Sequence, residues 1–247
     1  MFPLAIISDI HGNRWALEAV LEDIEKRWIS DIVNLGDVFY SPLDPNGTAE
    51  ILMRYCIPTI LGNEDRILLE YGSNPSPTLK LTKDLLSTEH LQWLSEFDKT
   101  LKIGEVFLCH GTPFSDSTYL LNNVTSTGLS KRSNEGLNEF VKDLESNIIL
   151  CGHDHIQGMK KLSTGQIIVN PGSVGWQAFD DNKPFYHKIE SGSPEARYAI
   201  IYESESGFEV EFVRIPYDFE AASEAATANG FDDWAYTLKT GRLKSGK

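Results

Sequence analysis

Five short segments place metal-ligand residue types directly after apolar runs. They are Asp9-Ile10-His11, Gly36-Asp37, Gly62-Asn63, His110-Gly111 and Gly152-His153-Asp154-His155. The 247-residue chain holds six histidines, His11, His90, His110, His153, His155 and His187, and four of them fall in these segments. A lone histidine is ordinarily a satisfied core or surface residue. Four of them after apolar runs, each beside Gly or Asp, read as ligands, since glycine lets the backbone turn tightly and approach an ion. The candidates are Asp9, His11, Asp37, Asn63, His110, His153 and His155. Imidazole with carboxylate suits manganese, iron, zinc or nickel better than calcium or magnesium. Seven candidates exceed one tetrahedral site. Two ions sharing a carboxylate use them well, and metals ~3.5–4 Å apart clamp the attacking and leaving oxygens of an in-line phosphoryl displacement. Cys109 and Cys151 neighbour ligands in sequence, but side chains alternate along a strand, so their thiols point away.

The elements that must position these residues alternate. Leu4–Ser8 reads as a strand, and Asn13–Lys26 shows helix spacing through Trp15, Ala16, Ala19, Val20 and Ile24. Ile32–Leu35 (strand), Asn46–Tyr55 (helix) and Ile57–Leu61 (strand) complete a βαβαβ pattern, which predicts strands packed between helices. Residues 73–78 form a loop, Thr82 caps a helix reaching Phe97, and Glu105–Cys109 is a strand. A polar excursion over 112–134 and a helix at Ser133–Glu145 together give a lid-like insertion at about 112–147. Strands follow at Ile148–Cys151, Gln166–Asn170, Arg197–Glu203 and Phe208–Ile215, the last two as a hairpin. Residues 217–240 are Ala-rich and helical, and Lys239–Lys247 is a frayed polar tail. Ligands at strand ends converge on one edge of an open α/β sheet. No linker divides the chain, so 1–247 is expected to be one domain.

Composition sets outer limits. Apolar residues make up 41% and charged residues 23%, an ordinary globular balance. The net charge of −14 argues against a nucleic-acid-binding surface, which carries a basic face. An anionic substrate then needs something locally positive, which bound cations supply. Cys56, Cys109 and Cys151 are too few for a disulfide framework and read as small buried hydrophobes. Reduced thiols point to the cytoplasm. No apolar run approaches the ~20 residues of a membrane span, and the first residues lack a signal-peptide pattern. No nucleophile elbow and no Gly-rich phosphate loop is present.

The order of the five segments resembles the calcineurin-like metallophosphoesterase superfamily: Asp-x-His, Gly-Asp, Gly-Asn-His-Asp/Glu (here Gly62-Asn63-Glu64-Asp65), His, then Gly-His-x-His. Residues 8–13 (SDIHGN), 35–46 (LGDVFYSPLDPN), 110–113 (HGTP), 169–175 (VNPGSVG) and 213–222 (VRIPYDFEAA) are similar to its small bacterial and archaeal predicted phosphodiesterases. The resemblance implies an α/β fold, a β-sandwich of mixed sheets flanked by helices. It implies a dinuclear site in which Asp9, His11 and His155 hold one ion and Asn63, His110 and His153 the other, with Asp37 bridging. Asp37 and Asn63 would be its catalytic ligands. The implied activity is phosphodiester hydrolysis by a metal-bridging hydroxide attacking in line, with manganese favoured and iron, zinc, nickel or magnesium as alternatives. A phosphomonoesterase or a dinucleoside polyphosphate hydrolase is the runner-up. A metal-binding scaffold or nucleotide sensor is the reading from another class. The substrate is a small phosphate ester, with nucleotides among the candidates. One position departs from the family: Glu64 stands where a histidine is usual. An ionised carboxylate there donates no proton and repels phosphate, which disfavours monoesters more than diesters. The alternative is that Glu64 turns to solvent.

Further candidates carry bland readings beside functional ones. Asn13 contacts phosphate or caps the helix that starts there. Tyr40 and Asn46 lie near the Gly36-Asp37 loop as substrate or turn residues. Lys131 and Arg132 are the best basic pair for gripping phosphate from the excursion, against the reading of solvated loop charges. Asp154 is an outer hydrogen-bonding partner or a surface carboxylate. Trp176 borders the site as a stacking platform or packs as core. Trp15, Trp28 and Trp93 read as core, His90 as structural, and His187 has no assigned role.

Overall fold

Alternate residues of the first strand, Leu4–Ile7 (β1), sort the core into two layers. Leu4 and Ile6 pack with Val33, Leu35, Val106, Leu108, Ile148, Leu150, Ile167 and Val169 between two sheets. Ala5 and Ile7 point the other way, into a larger cluster formed with helices. The computed structural model describes residues 1–244. After β1 the elements are α1 (Arg14–Lys26), β2 (Asp31–Asn34), α2 (Pro45–Tyr55), α3 (Asn63–Glu70), α4 (Pro77–Leu85), α5 (Thr88–Ser95), β3 (Thr100–Ile103) and β4 (Val106–Cys109). There follow β5 (Asn122–Thr125), β6 (Gly128–Lys131), α6 (Asn134–Val141), β7 (Ile148–Leu150), β8 (Gly158–Lys161), β9 (Ile167–Asn170), β10 (Ala178–Asp181) and β11 (His187–Glu190). The chain closes with β12 (Ala196–Ser204), β13 (Gly207–Ile215), α7 (Phe219–Ala228) and α8 (Asp232–Thr240).

One sheet runs β13-β12-β1-β2 and the other β3-β4-β7-β9-β8; β5-β6 and β10-β11 are separate hairpins. Both main sheets are mixed: β1 and β2 are parallel, as are β4, β7 and β9, with antiparallel neighbours outside them. This is the expected mixed sandwich flanked by helices. Asn13 starts α1, its Oδ1 accepting from Ala16 N at 3.2 Å. The helix then buries Leu17, Val20, Leu21 and Ile24 along one face. On the far side of the second sheet, Cys109, Ile149, Cys151 and Ile168 pack against Leu137 and Val141 of α6. The parallel strands end on the same side, and the chain leaves β1, β2, β4 and β7 there into the ligand-bearing segments.

Several local expectations are corrected. Ile57–Leu61 is not a full strand. It makes one parallel bridge, Asn34 to Thr59, because Pro58 has no N–H to continue the ladder. The helix expected over Thr82–Phe97 is two helices. Leu86 is extended, and Ser87 opens α5 by accepting from His90 N at 3.2 Å. Thr82 lies inside α4, its hydroxyl on the carbonyls of Ser41 and Thr78. His90 is buried as part of that cap. Trp28 is 93% exposed in the turn after α1 rather than in the core. Cys56 is exposed at the end of α2; Cys109 and Cys151 are buried, and all three thiols are free. The tail begins late, since α8 continues to Thr240, and residues 245–247 lie outside the described residues. Among the described residues no helix is long and apolar enough to cross a membrane.

Candidate metal centre

Asp9, His11 and His155 bring one ligand atom each within 4.8 Å of one another, and Asp37, His110 and His153 do the same. Asn63 joins the second group, its Oδ1 3.0 Å from His110 Nε2. The groups adjoin: Asp9 Oδ1 is 3.2 Å from His155 Nε2 and 3.9 Å from His110 Nε2. Asp37 Oδ2 is 3.3 Å from His110 Nε2. All seven ligand candidates named from the sequence thus meet at one end of the sandwich, where strands of both sheets stop.

The local backbone explains why these segments aim inward. Asp9, His11, Asp37, His153 and His155 all adopt positive φ, between 48° and 71°. Non-glycine residues rarely do so, at a cost of order 1–3 kcal/mol each, and such strain clusters at functional sites. Backbone bonds lock the turns together: Asp9 N donates to Gly36 O, His11 N to Asp37 O, and Gly152 N to His110 O. Asn63 is the first residue of α3. A side chain at the preceding Gly62 would overlap the Asp37 carboxylate, so this close approach needs glycine.

Hydrogen bonding fixes which atoms face the centre. His11, His110 and His155 each donate Nδ1–H to a backbone carbonyl, those of Tyr40 (3.0 Å), Leu35 (2.8 Å) and Trp176 (2.7 Å). This arrangement, assigned from the network, turns all three Nε2 atoms inward, those of His11 and His155 as lone pairs. His11 Nε2 and His155 Nε2 then stand 3.2 Å apart. Asp9 Oδ2 accepts from Ser8 Oγ (2.6 Å) and His153 N (3.1 Å), while its buried Oδ1 has no hydrogen-bond partner. Asp37 Oδ1 accepts from Glu64 N at 2.8 Å. Acceptors therefore face acceptors across a buried space, an arrangement that cations relieve. The donor set, imidazole nitrogen with carboxylate and amide oxygen, fits divalent transition metals.

The electrostatics agree. Burial alone would raise the Asp9 carboxyl, but His155, with His110 and His11, holds it below the usual carboxylate range. Burial would lower His110, yet Asp37 and Asp9 push it up to about 10. Burial, then His155, pushes His11 down to about 4, and burial, then His110, does the same to His153. The centre calls for positive charge, supplied by a proton on His110 until a cation takes its place.

Outer residues hold the ligand loops. Asp65, which sequence reasoning missed, is fully buried. Its carboxylate accepts from the backbone N–H of Asp37 (2.7 Å), Val38 (3.0 Å) and Gly62 (3.0 Å). Its place at the third position of α3, after Gly62, was the available signal. Burial and Asp37 push its carboxyl up to about 7. Asp154 is the outer partner rather than a surface carboxylate. It accepts from Asn122 Nδ2 (2.6 Å), Asn170 Nδ2 (2.8 Å) and Ile156 N (2.9 Å), tying β5 to the His153–His155 loop. Glu64 does not turn to solvent. It is half-buried, 3.4 Å from Asn63 Nδ2, and burial with Asp37 and Asp65 pushes it up to about 8.

The substrate candidates divide. Asn13 is spent as a cap, and its Nδ2 donates to Gly175 O (2.9 Å) and Tyr217 Oη (3.1 Å), so the phosphate reading is corrected. Arg132 is corrected too: its guanidinium donates to the carbonyls of Leu120, Tyr119 and Asn122 and lies over Phe140. Lys131 is exposed on β6. Asn46 donates to Glu50 within α2. Tyr40 stays beside the centre, half-buried, with its hydroxyl 3.1 Å from Ser76 Oγ. Trp176 packs on Trp234 of α8, rings stacked 3.9 Å apart at 10°, and meets His11 edge-on at 5.1 Å. It is a wall behind the histidines rather than an open stacking platform.

Comparison with known proteins gives one consistent result. Residues 2–191 match the family model described as the calcineurin-like phosphoesterase superfamily domain. An uncharacterized protein of Methanocaldococcus jannaschii is 28% identical over 259 residues, covering 94% of each chain. The crystal structure of a metallophosphoesterase from Sphaerobacter thermophilus superposes with a TM-score of 0.75 at 26% identity, covering 97% of this chain and 99% of that one. A hypothetical protein from Pyrococcus horikoshii gives a TM-score of 0.76 at 18% identity, covering 98% and 99%.

Proposed function

The chain belongs to the calcineurin-like phosphoesterase superfamily, and from that premise we propose that it is a phosphodiesterase working with two divalent cations. Asp9, His11 and His155 hold one ion, Asn63, His110 and His153 the other, and Asp37 serves both. Manganese is the favoured metal. The observation that carries this reading is the convergence of ligand atoms: three inward Nε2 atoms, two carboxylates and the Asn63 amide oxygen around one buried space. When bound, paired cations supply a hydroxide nucleophile near neutral pH and offset charge developing on the phosphoryl oxygens.

The chain's own residues orient these ions and select the ester. Asp65 and Gly62 set the Asp37 carboxylate, and the carbonyls of Tyr40, Leu35 and Trp176 set the imidazoles. Glu64, at the position the family usually gives to histidine, lies against Asn63. Without metal, burial, Asp37 and Asp65 raise its carboxyl to about 8; two bound cations would favour the ionised form, which offers no proton to a leaving oxygen and opposes added negative charge. A diester, with one charge, suffers less from it than a monoester with two. The reduced thiols of Cys56, Cys109 and Cys151 fit a cytoplasmic setting. The substrate on this reading is a small phosphate ester rather than a nucleic acid.

The test is hydrolysis of bis-p-nitrophenyl phosphate and p-nitrophenyl phosphate by metal-stripped protein, with Mn²⁺, Ni²⁺, Zn²⁺ and Mg²⁺ added singly. Metal-dependent cleavage of the diester, in excess over the monoester and lost in Asp37→Asn, is expected. Two bound ions per chain without turnover would replace the enzyme reading with a scaffold or sensor.

A further inference from the structure

Three of the four clustered histidines are held in one way and the fourth is not. His11, His110 and His155 each lodge Nδ1–H on a backbone carbonyl, which fixes ring plane and tautomer together. Among the described residues the His153 ring makes no hydrogen bond; only its backbone N–H is bonded, to Asp9 Oδ2. It is also the one half-exposed histidine of the four. Two rings touch it: His110, with centroids 5.1 Å apart, and Tyr119, at 4.8 Å and 57°.

Tyr119 is itself anchored. It is buried, and its hydroxyl donates to His187 Nε2 at 2.8 Å. His187, also buried, donates Nδ1–H to the carbonyl of Phe185 at 2.8 Å, which leaves Nε2 as the acceptor. The two rings meet edge-on with centroids 5.5 Å apart. A continuous chain thus runs from the β10–β11 hairpin through His187 and Tyr119 to the ring of His153. Tyr119 and His187 have no other part in the centre described above.

We propose that Tyr119 and His187 are positioning residues for His153. The tyrosine ring, pinned by its hydroxyl to the His187 imidazole, does by contact what the three carbonyls do by hydrogen bonding. The pair thereby governs the affinity of the cation served by His110 and His153. This rests on the metal assignment of the proposed function. Without the pin the Tyr119 ring shifts, and His153 gains rotamers in which its nitrogen misses the ion. Losing an outer partner of a ligand histidine weakens metal binding roughly 10–100-fold. The Asp9, His11 and His155 group has its own supports, so its ion is unaffected.

The test is calorimetric titration of the metal-stripped full chain with Mn²⁺. The wild type binds two ions. In Tyr119→Leu one of them weakens roughly tenfold or more while the other keeps its affinity. Tyr119→Phe and His187→Ala cut the same hydrogen bond, so each weakens that ion about threefold. The double variant loses no more than either single one. Melting without metal separates positioning from folding, because Tyr119→Phe keeps the ring and gives up one buried hydrogen bond, so it melts only a few degrees below the wild type and stays folded. Unchanged Mn²⁺ affinities in all three variants, or equal weakening of both ions, would overturn the pairing while leaving the metal assignment intact. A wild-type chain that binds no Mn²⁺ overturns both.

Discussion

Removing the Asp65 carboxylate isolates what holds the Asp37 turn in place. The carboxylate accepts three backbone N–H groups, from Asp37, Val38 and Gly62, all within 3.0 Å and buried. It joins the turn after β2 to the start of α3. Above about pH 7, where the raised Asp65 carboxyl is ionised, hydrogen bonds to the charged group contribute about 1.5–3 kcal/mol each, and an abandoned buried donor costs about 1–3 kcal/mol. Simple addition gives roughly 5–9 kcal/mol for Asp65→Ala, but water entering the vacated volume satisfies part of the loss. About 3–5 kcal/mol is the expected destabilisation, against a total of about 5–15 for a domain. At about 2–4 °C per kcal/mol for a chain of this size, melting falls by roughly 6–20 °C. Asp65→Asn tests the chemistry rather than the volume. One amide oxygen still accepts, but an NH₂ now confronts donors, so this variant also loses several kcal/mol. The assay is urea unfolding of the metal-stripped protein, with Glu89→Ala, in the first turn of α5, as the control. A loss below about 1 kcal/mol in both Asp65 variants would refute the claim that this carboxylate organises the loop.

Two further outcomes follow from the same geometry. His110 is raised from 6.5 to about 10 by Asp37 and Asp9, so at neutral pH it holds a proton that an incoming cation must displace. Metal affinity therefore rises by up to about tenfold per pH unit toward 10. Calorimetry at pH 7 in buffers of different ionisation enthalpy should show proton release, and a buffer-independent enthalpy would contradict it. Before metal binds, this raised value contributes stability that is full below about pH 6.5 and fades as pH climbs through about 10. Arg132→Ala should lower stability by about 2–3 kcal/mol, since three carbonyls lose their donor, while KM for bis-p-nitrophenyl phosphate changes less than about twofold. A tenfold rise in KM with unchanged melting would restore Arg132 to the substrate.

The centre was legible in the sequence because its signal is local. Each ligand follows a short apolar run and sits beside a Gly, Asp or backbone turn that declares the strand end. The α/β class was legible for the same reason, since Leu4, Ala5, Ile6 and Ile7 announce a buried strand before a helix, whereas the sandwich followed only from the family resemblance. What escaped depends on contacts between distant residues. Tyr119 and His187 are 68 positions apart and meet only because a hairpin folds over the excursion. Arg132 has the composition of a lid cation, and only its carbonyl partners identify it as a structural clamp. Asp65 is identified by its three backbone donors, two of which lie 27 and 28 positions away. Trp28 misled because periodicity places it near a helix face, whereas α1 ends at Lys26 and leaves it 93% exposed. Pro58 demoted a strand whose apolar content looked sufficient.

The distribution of strain explains why the sheets carry the centre rather than the reverse. Five ligand candidates hold left-handed backbones, and the inward nitrogens and oxygens repel one another. Taken alone, the edge of the sheets would rather relax. It is prevented by the core behind it, where Ile6, Ile7, Leu35, Leu108 and Leu150 are fully buried next to the turns. Each such side chain contributes about 1.5–3 kcal/mol of burial, comparable with the roughly 1–3 kcal/mol that one left-handed residue costs, so the core as a whole offsets the strain. The strands therefore hold the acceptors in a crowded arrangement that a bound cation relieves. His153 is the exception that supports the rule. Its loop ends past β7 in partial exposure and lacks a carbonyl for its ring, so rigidity there comes from a tyrosine and a histidine delivered by another part of the chain.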